Sequence, residues 1–323
     1  MNPLPVILDT DWYTDVDDVM AVRVLINLQR KGLLRILGVC LNARFDQSVR
    51  SVDAFLMAHG VDVPIGIIPK WEGDHSGING PSYQRRLASM PSKYTDNDAA
   101  EPPARLYRRL LATSSEPVEL FSIGFTENYR ALLESKPDEI SPLNGRELII
   151  RKVRHLWLMA GLWPTGQEYN LSGGVPVNPL VTRAGSFVLA NWPTSISFLG
   201  YEVGYPVLAG DQLPEDDLLR QAMDDYDNTP GYRLGGKAPE LRELGRPRAH
   251  FSWDPLLILL GAGVVAPENG FFDLVRGHAS SNPDTGENSF LKDITGPHSY
   301  VVKKLPDVEY GKCVDAWLWS NVF

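Results

Sequence analysis

Apolar and polar positions follow two rhythms from the start of the chain. Val6–Leu8, inside the run Pro5-Val6-Ile7-Leu8, is a short apolar block and predicts a buried strand. Val16–Arg30 then carries Val19, Ala21, Val22, Leu25, Ile26 and Leu28 at helical spacing. Arg35–Leu41 predicts a second strand, Val49–His59 a second helix and Val63–Ile68 a third strand. Strands alternating with helices predict an α/β fold, an open, mainly parallel, Rossmann-like sheet with helices on both faces.

Residues 69–103 break the rhythm with Gly, Pro, Ser and charge, and read as a long surface loop. Regularity returns with a helix over Ala104–Ala112, a strand over Val118–Ile123 and a helix over Glu127–Leu133. His155–Met159 reads as a strand, followed by a Gly-rich loop up to Val175. Pro179–Asn191 reads as a helix and Ile196–Gly200 as a strand. After a polar, Gly-rich stretch, Asp227–Arg248, come a buried helix over Pro255–Gly263, a strand over Ser299–Lys303 and a helix over Asp307–Trp319. No repeat or linker divides the chain, so a single domain over 1–323 is expected.

Composition narrows the choice. With 323 residues the chain can bury a large core, and 43% hydrophobic with 22% charged residues is ordinary for a soluble globular protein. A net charge of -9 argues against a nucleic-acid binder and against an anionic membrane surface. Cys40 and Cys313 are too few for a disulfide framework, and Cys40 lies in an apolar run. The first residues lack the pattern of a signal peptide, and Pro255–Ala266 is too short to span a bilayer. The expected location is the cytoplasm.

The chemistry is concentrated behind the first strand. Asp9, Asp11, Asp15, Asp17 and Asp18 place five carboxylates within ten residues. Crowded carboxylates repel one another unless protons or a cation neutralise them, and oxygen ligands suit a hard divalent cation. Asp9 and Asp11 alternate along an extended chain and are expected to share a face. Asp17 and Asp18 open the next helix, where acidic residues also serve as caps and dipole partners. Asp15 is a candidate ligand or a cap. An EF-hand loop is excluded, because Tyr13, Thr14 and Met20 stand where it needs oxygen ligands, a Gly and a Glu.

Four segments in order resemble the nucleoside hydrolase family. The first is the strand ending Asp9-Thr10-Asp11 with Asp17-Asp18 opening a helix, the turn between them two residues longer than in the best-known members. This is similar to a divergent branch with an Asp-Val-Asp-Asp ending. The second is Ser122-Ile123-Gly124-Phe125-Thr126-Glu127-Asn128, the third Glu168-Tyr169-Asn170, and the fourth Trp253-Asp254-Pro255-Leu256. The likeness runs from Val6 to about Gly263.

The resemblance implies a cation held by Asp11, Asp18, Asp254 and the main-chain carbonyl of Glu127, with Asp15 as a further ligand. Oxygen-only coordination favours Ca²⁺ over Mg²⁺. It implies that Asp11 orients a water for attack on a ribosyl carbon, and that Asp17, Glu168, Asn170 and Asn42 hold the ribose. Trp253, Trp12 and Trp163 are the expected base-binding rings, with Tyr13, Trp71 and Tyr169 as further aromatic candidates. Trp253 stands where several members have a proton-donating His, which leaves His75, His250 and His298 to be considered as donors.

The implied activity is hydrolysis of the N-glycosidic bond of a nucleoside or related ribosyl compound, by a homodimer or homotetramer without nucleic-acid or membrane partners. Two alternatives stand beside it. A non-catalytic nucleoside-binding protein is suggested by Trp253. A phosphatase of the haloacid dehalogenase type, with Asp9 or Asp11 as nucleophile, is opposed by Tyr13 where that motif has Thr or Val.

Overall fold

The first apolar block becomes β1 (Leu4–Thr10), buried from Pro5 onward in the computed structural model, which describes residues 2–13, 15–70, 82–228, 241 and 245–319. Helix α1 (Asp17–Arg30), β2 (Leu34–Leu41), helix α2 (Ser48–Ala58) and β3 (Ile65–Ile67) follow as the periodicity requires. Next come β4 (Val118–Ile123), β5 (Val153–Met159), β6 (Thr165–Gln167) and β7 (Ser195–Leu199). The short strands β8 (Leu208–Ala209) and β9 (His250–Phe251) pair with each other. The last strands are β10 (Phe272–Ser281), β11 (Glu287–Lys292) and β12 (His298–Lys303).

Among the described residues one ten-stranded sheet runs in the order β3-β2-β1-β4-β5-β7-β12-β10-β11-β6. From β3 to β12 every pairing is parallel; β10, β11 and β6 join antiparallel. The expected open, mainly parallel sheet is therefore present. Side chains alternate across it. Val6 and Leu8 pack in one apolar layer with α1 and the helix Trp253–Gly261, and Ile7 packs in the other with Tyr107, Leu120 and Leu156. The chain steps from β1 to β2 and β3 on one side, then returns to β4 on the other. The crevice at the carboxyl ends of β1 and β4 is thus the switch point, where open α/β sheets bind ligands.

Several expectations are corrected. Within 69–103 the helix Ser82–Ala88 buries Tyr83, Gln84, Leu87 and Ala88, so part of that stretch is core rather than surface loop. Tyr83 and Leu87, four apart, carried the signal. The Gly-rich loop after β5 contains β6 and the helical turn Tyr169–Ser172. The helices Gly145–Lys152 and Leu218–Asp227 and the β10–β11 hairpin are additions to the predicted elements. Trp71, His75 and most of Asp227–Arg248 lie outside the described residues. Cys40 and Cys313 are free thiols. Among the described residues no helix is long and apolar enough to cross a membrane.

Candidate functional site

Strand register sets the stage. Asp9 is level with Cys40 of β2 and Ser122 of β4, Ser122 with Leu158 of β5, and Leu158 with Phe198 of β7. Asp11, Asn42, Gly124, Ala160 and Gly200 each lie two residues further on, along the carboxyl edge of the sheet.

β1 ends at Thr10, and the chain turns sharply at Trp12, a non-glycine residue with φ of 49°. Such a conformation in a bulky residue persists only where its surroundings hold it. Trp12 N–H donates to Thr10 Oγ1 at 3.0 Å and to Asp18 Oδ1 at 3.2 Å, and its carbonyl accepts from Gln84 Nε2 at 2.6 Å. The Thr10 hydroxyl also donates to Asp18. The indole packs against Phe55 and Tyr83 and donates to Ser51 Oγ at 2.9 Å. Trp12 is fully buried, so its expected base-binding role is corrected: the left-handed turn sends the ring into the core.

The turn delivers its acids to one place. Tyr13 N–H donates to Asp11 Oδ1, and Asp17 N–H to Asp15 Oδ1, both at 3.2 Å. Carboxylate oxygens of Asp15, Asp17 and Asp18 lie within 4.8 Å of one another. Asp254, in the first turn of the helix Trp253–Gly261, joins them, its N–H donating to Asp17 Oδ2 at 3.0 Å. Burial raises Asp11 well above the usual carboxylate range, with Asp18 and Asp15 adding to it. Asp17 is raised by burial, Asp15 and Asp254, and Asp254 by burial, Asp18, Asp15 and Asp11. Asp18 is pushed up to about 7 by burial and Asp15, against the hydrogen bonds from Thr10 and Trp12.

Two such charges 4 Å apart repel by about 4 kcal/mol at an effective dielectric of about 20. The cluster therefore holds protons or a cation. An all-oxygen donor set at two helix N-termini fits a hard divalent ion such as Ca²⁺.

Asp9 and Asp11 part company. Asp9 points away from the cluster and takes three donors: Asn42 Nδ2, Tyr107 Oη at 2.8 Å and Asn128 Nδ2 at 3.0 Å. Burial still pushes it up to about 7. The expected shared face is corrected, because strand alternation ends at Thr10. Asn42 is committed here as well, with its Oδ1 accepting from Phe125 N at 3.0 Å. Tyr107 and Asn128 are site-edge residues that the sequence reading did not single out; Asn128 closes the Gly124–Asn128 segment already in view. That segment abuts the end of β1: a Cβ placed on Gly124 would lie 2.5 Å from Asp11 N. Glu127, in its first helical turn, is half-buried.

Glu168 and Asn170 meet at the carboxyl end of β5. Glu168 accepts from Gly161 N and Asn170 N, both at 2.9 Å, and Asn170 Nδ2 donates to Met159 O at 3.0 Å. Burial raises Glu168 to about 7. Trp163 is packed against Phe198, Phe290 and Tyr300 and donates to Ala160 O, so its ring belongs to the core layer beside the site, correcting its expected place at the base. Trp253 stacks on Tyr201 at 5.4 Å and donates to Tyr201 O at 2.9 Å, with Tyr205 and Phe251 extending the stack. Tyr13 packs on Phe45 and is hydrogen-bonded to Tyr169.

Of the candidate proton donors, the two among the described residues, His250 and His298, stay apart from this chemistry. His298 accepts from Ala279 N at 2.9 Å and is level with Ile196, in the amino-terminal half of β7, so it is at the wrong end of the sheet. His250 is buried against Tyr226 and Phe251.

No protein-family model matches the chain, and no curated protein matches it in sequence. Solved structures do match in shape. The type III effector protein XopQ, solved with adenosine diphosphate ribose, is 18% identical with a TM-score of 0.62, over 98% of this chain and 92% of its own. The effector protein XOO4466 is also 18% identical, with a TM-score of 0.60 over 98% and 93%. The inosine-uridine preferring nucleoside hydrolase from Bacillus anthracis is 15% identical, with a TM-score of 0.59 over 98% and 99%. These likenesses, end to end in each pair, show that the protein has the nucleoside hydrolase fold.

Proposed function

We propose that the protein is a metal-dependent N-ribosyl hydrolase, cleaving a ribonucleoside or related ribosyl compound into free base and ribose. The observation that carries this reading is the gathering of Asp254 with Asp11, Asp15, Asp17 and Asp18 at the switch point of the sheet. Asp11, Asp18 and Asp254, with Asp15 and the main-chain carbonyl of Glu127, would hold Ca²⁺; Mg²⁺ suits a site of many protein oxygens less well. Such a cation, when bound, neutralises the carboxylates and lowers the pKa of a coordinated water.

In this reading Asp11 orients the attacking water and takes its proton. The water adds to the anomeric carbon as the C–N bond breaks, and the bond's electron pair leaves with the base. Positive charge develops on the ribosyl ring, as in other glycosyl transfers, and the facing carboxylates stabilise it. Asp17, Glu168 and Asn170 bind ribose hydroxyls, for which paired donors and acceptors are needed. The Trp253–Tyr201 stack, with Tyr201 39% exposed, offers a flat wall to the base. A dimer or tetramer is the proposed assembly.

A second reading is favoured by one observation. Trp253 has spent its N–H on Tyr201 O and is not an acid, so this position gives no proton to a leaving base. A protein that binds a ribosyl ligand without turnover would need none, and XopQ was solved with adenosine diphosphate ribose. A nucleoside panel scored for free ribose, with and without a chelator, tests both. Chelator-sensitive ribose release supports the hydrolase. Calcium-dependent binding of nucleosides or adenosine diphosphate ribose without ribose release gives the second reading. Phosphate release from phosphomonoesters alone would overturn both, against the burial of Asp9 under three donors.

A further inference from the structure

We propose that Asp9 is a positioning residue: its carboxylate fixes the polarity of the Asn42 amide and thereby seats the Gly124–Glu127 turn against Asp11. The inference rests on the metal-dependent reading above for its effect on calcium, and on geometry alone for the rest.

Asp9 is the carboxylate of the N-terminal group that stands outside both the proposed cation shell and the proposed ribose contacts. It is fully buried, and its three side-chain partners are all donors: Asn42 Nδ2 on one oxygen, Tyr107 Oη and Asn128 Nδ2 on the other. Asn42 lies between an acceptor and a donor. The Asp9 oxygen that faces Asn42 is an acceptor, and a main-chain N–H accepts nothing. One orientation of the Asn42 amide serves both, Nδ2 toward Asp9 and Oδ1 toward Phe125 N.

Three strand ends are stapled in this way, those of β1, β2 and β4, on either side of the switch point. The fit is close. A Cβ on Gly124 would meet Asp11 N at 2.5 Å and Asn42 Oδ1 at 2.8 Å. Residues placed next to a metal shell, without touching the ion, orient its ligands.

The polarity can be reversed on paper. An amide at position 9 keeps an oxygen for Tyr107 and Asn128 but presents N–H to Asn42. Asn42 must then flip, and its own NH₂ faces Phe125 N–H. Replacing Asn42 by a carboxylate at the same time restores an acceptor on both sides. Asp9→Asn is therefore disruptive, Asn42→Asp alone sets two carboxylates face to face, and the Asp9→Asn/Asn42→Asp swap satisfies every bond again.

The experiment measures two quantities on the full chain, with circular dichroism as the check on folding. One is hydrogen exchange at the Phe125 amide in metal-free protein; the other is Ca²⁺ affinity by calorimetry. Asp9→Asn is expected to lose Phe125 protection and to bind Ca²⁺ about ten- to a hundredfold more weakly. The swap is expected to recover both, to within about threefold of wild type in affinity. Wild-type behaviour of Asp9→Asn in either measurement would overturn the proposal, as would a folded swap variant that recovers neither. If Asp9→Asn does not fold, the swap still decides. A wild-type protein that binds no Ca²⁺ would sink the metal-dependent reading, and Phe125 protection across the same variants would still judge the staple.

Discussion

The main-chain amide of Asp254 donates to the Asp17 carboxylate at 3.0 Å, tying together first turns of helices 237 residues apart in sequence. Both helices begin with acids, Asp17 and Asp18 in one and Asp254 in the other. Their N-termini carry partial positive charge and free N–H groups toward the same carboxylates. That support is too small to offset four buried acids and the half-buried Asp15. Each helix end contributes about 0.3–1 kcal/mol, while a single close pair repels by about 4 kcal/mol. The remainder is left for protons or a cation.

Removing one acid should therefore have opposite effects with and without the ion. Asp254→Asn keeps the shape and deletes a charge that Asp18, Asp15 and Asp11 oppose. In chelator the variant is expected to melt higher than wild type. With Ca²⁺ it should lose at least about a hundredfold in affinity, since a lost charge pair of this strength exceeds 2.8 kcal/mol. Asp11→Ala should likewise abolish binding and turnover and keep the fold. Calorimetry and thermal melts read both, and full Ca²⁺ affinity in either variant would dismantle the proposed shell.

Asp15 lies within the long turn, and its oxygen is within 4.8 Å of those of Asp17 and Asp18. It also accepts from Asp17 N, as a cap would. If it is a ligand, Asp15→Asn weakens Ca²⁺ by about tenfold or more while helix α1 stays intact. Affinity equal to wild type in a calcium titration would reduce it to a cap.

How far the sequence could lead is visible at individual residues. Val118–Ile123 and Pro179–Asn191 matched their elements to the residue, the strand a mostly apolar run and the helix opened by Pro179 with apolar residues recurring along it. The acidic cluster was legible as charge where charge is costly, and its distant partner Asp254 only through the family resemblance of Trp253-Asp254-Pro255-Leu256. β10 was not legible: Asp273, Arg276 and His278 interrupt it, and its partner β11 is largely solvent-facing. The direction of Trp12 depends on a positive φ that no residue type at that position announces. The parting of Asp9 from Asp11 depends on where β1 stops, and strand ends are the least certain part of any pattern. Tyr107, which donates to Asp9 from the helix Pro103–Thr113, is 98 residues from it in sequence.

Acidity gives a second handle. Asp9, Asp18 and Glu168 are raised to about 7 from 3.8, 3.8 and 4.5. The folded metal-free protein thus binds more protons than the unfolded chain between about pH 4 and 7, and loses stability as pH rises through that range. Half-buried His59 and His155 and buried His298, held down to about 4, work in the opposite sense below pH 6.5. The informative window is pH 6.5 to 8. There the melting temperature in chelator should fall with pH, while Ca²⁺, which favours ionised ligands, should protect more at pH 8 than at pH 6.5. A protective effect of Ca²⁺ that shrinks with pH would contradict carboxylate ligation.

Gly124 offers the sharpest steric test of the switch point. The nearest atom to a Cβ built there is Asp11 N at 2.5 Å, which is main chain, and the next two belong to the Asn42 amide at 2.8 and 2.9 Å. Neither neighbour is a flexible side-chain end, since Asn42 is hydrogen-bonded on both sides. Gly124→Ala must therefore push the turn after β4 away from the end of β1. Overpacking of this kind costs about 1–3 kcal/mol, and here it also separates Asp11 from the Glu127 main chain. The expected outcome is a lower melting temperature together with weaker Ca²⁺ binding. Gly32→Ala is the control, because a Cβ there meets nothing within 4 Å and only its φ of 69° is strained. It should lose stability while keeping wild-type Ca²⁺ affinity. Equal loss of affinity in both variants would mean that Ca²⁺ binding follows global stability, and that the contact between Gly124 and Asp11 does not shape the site.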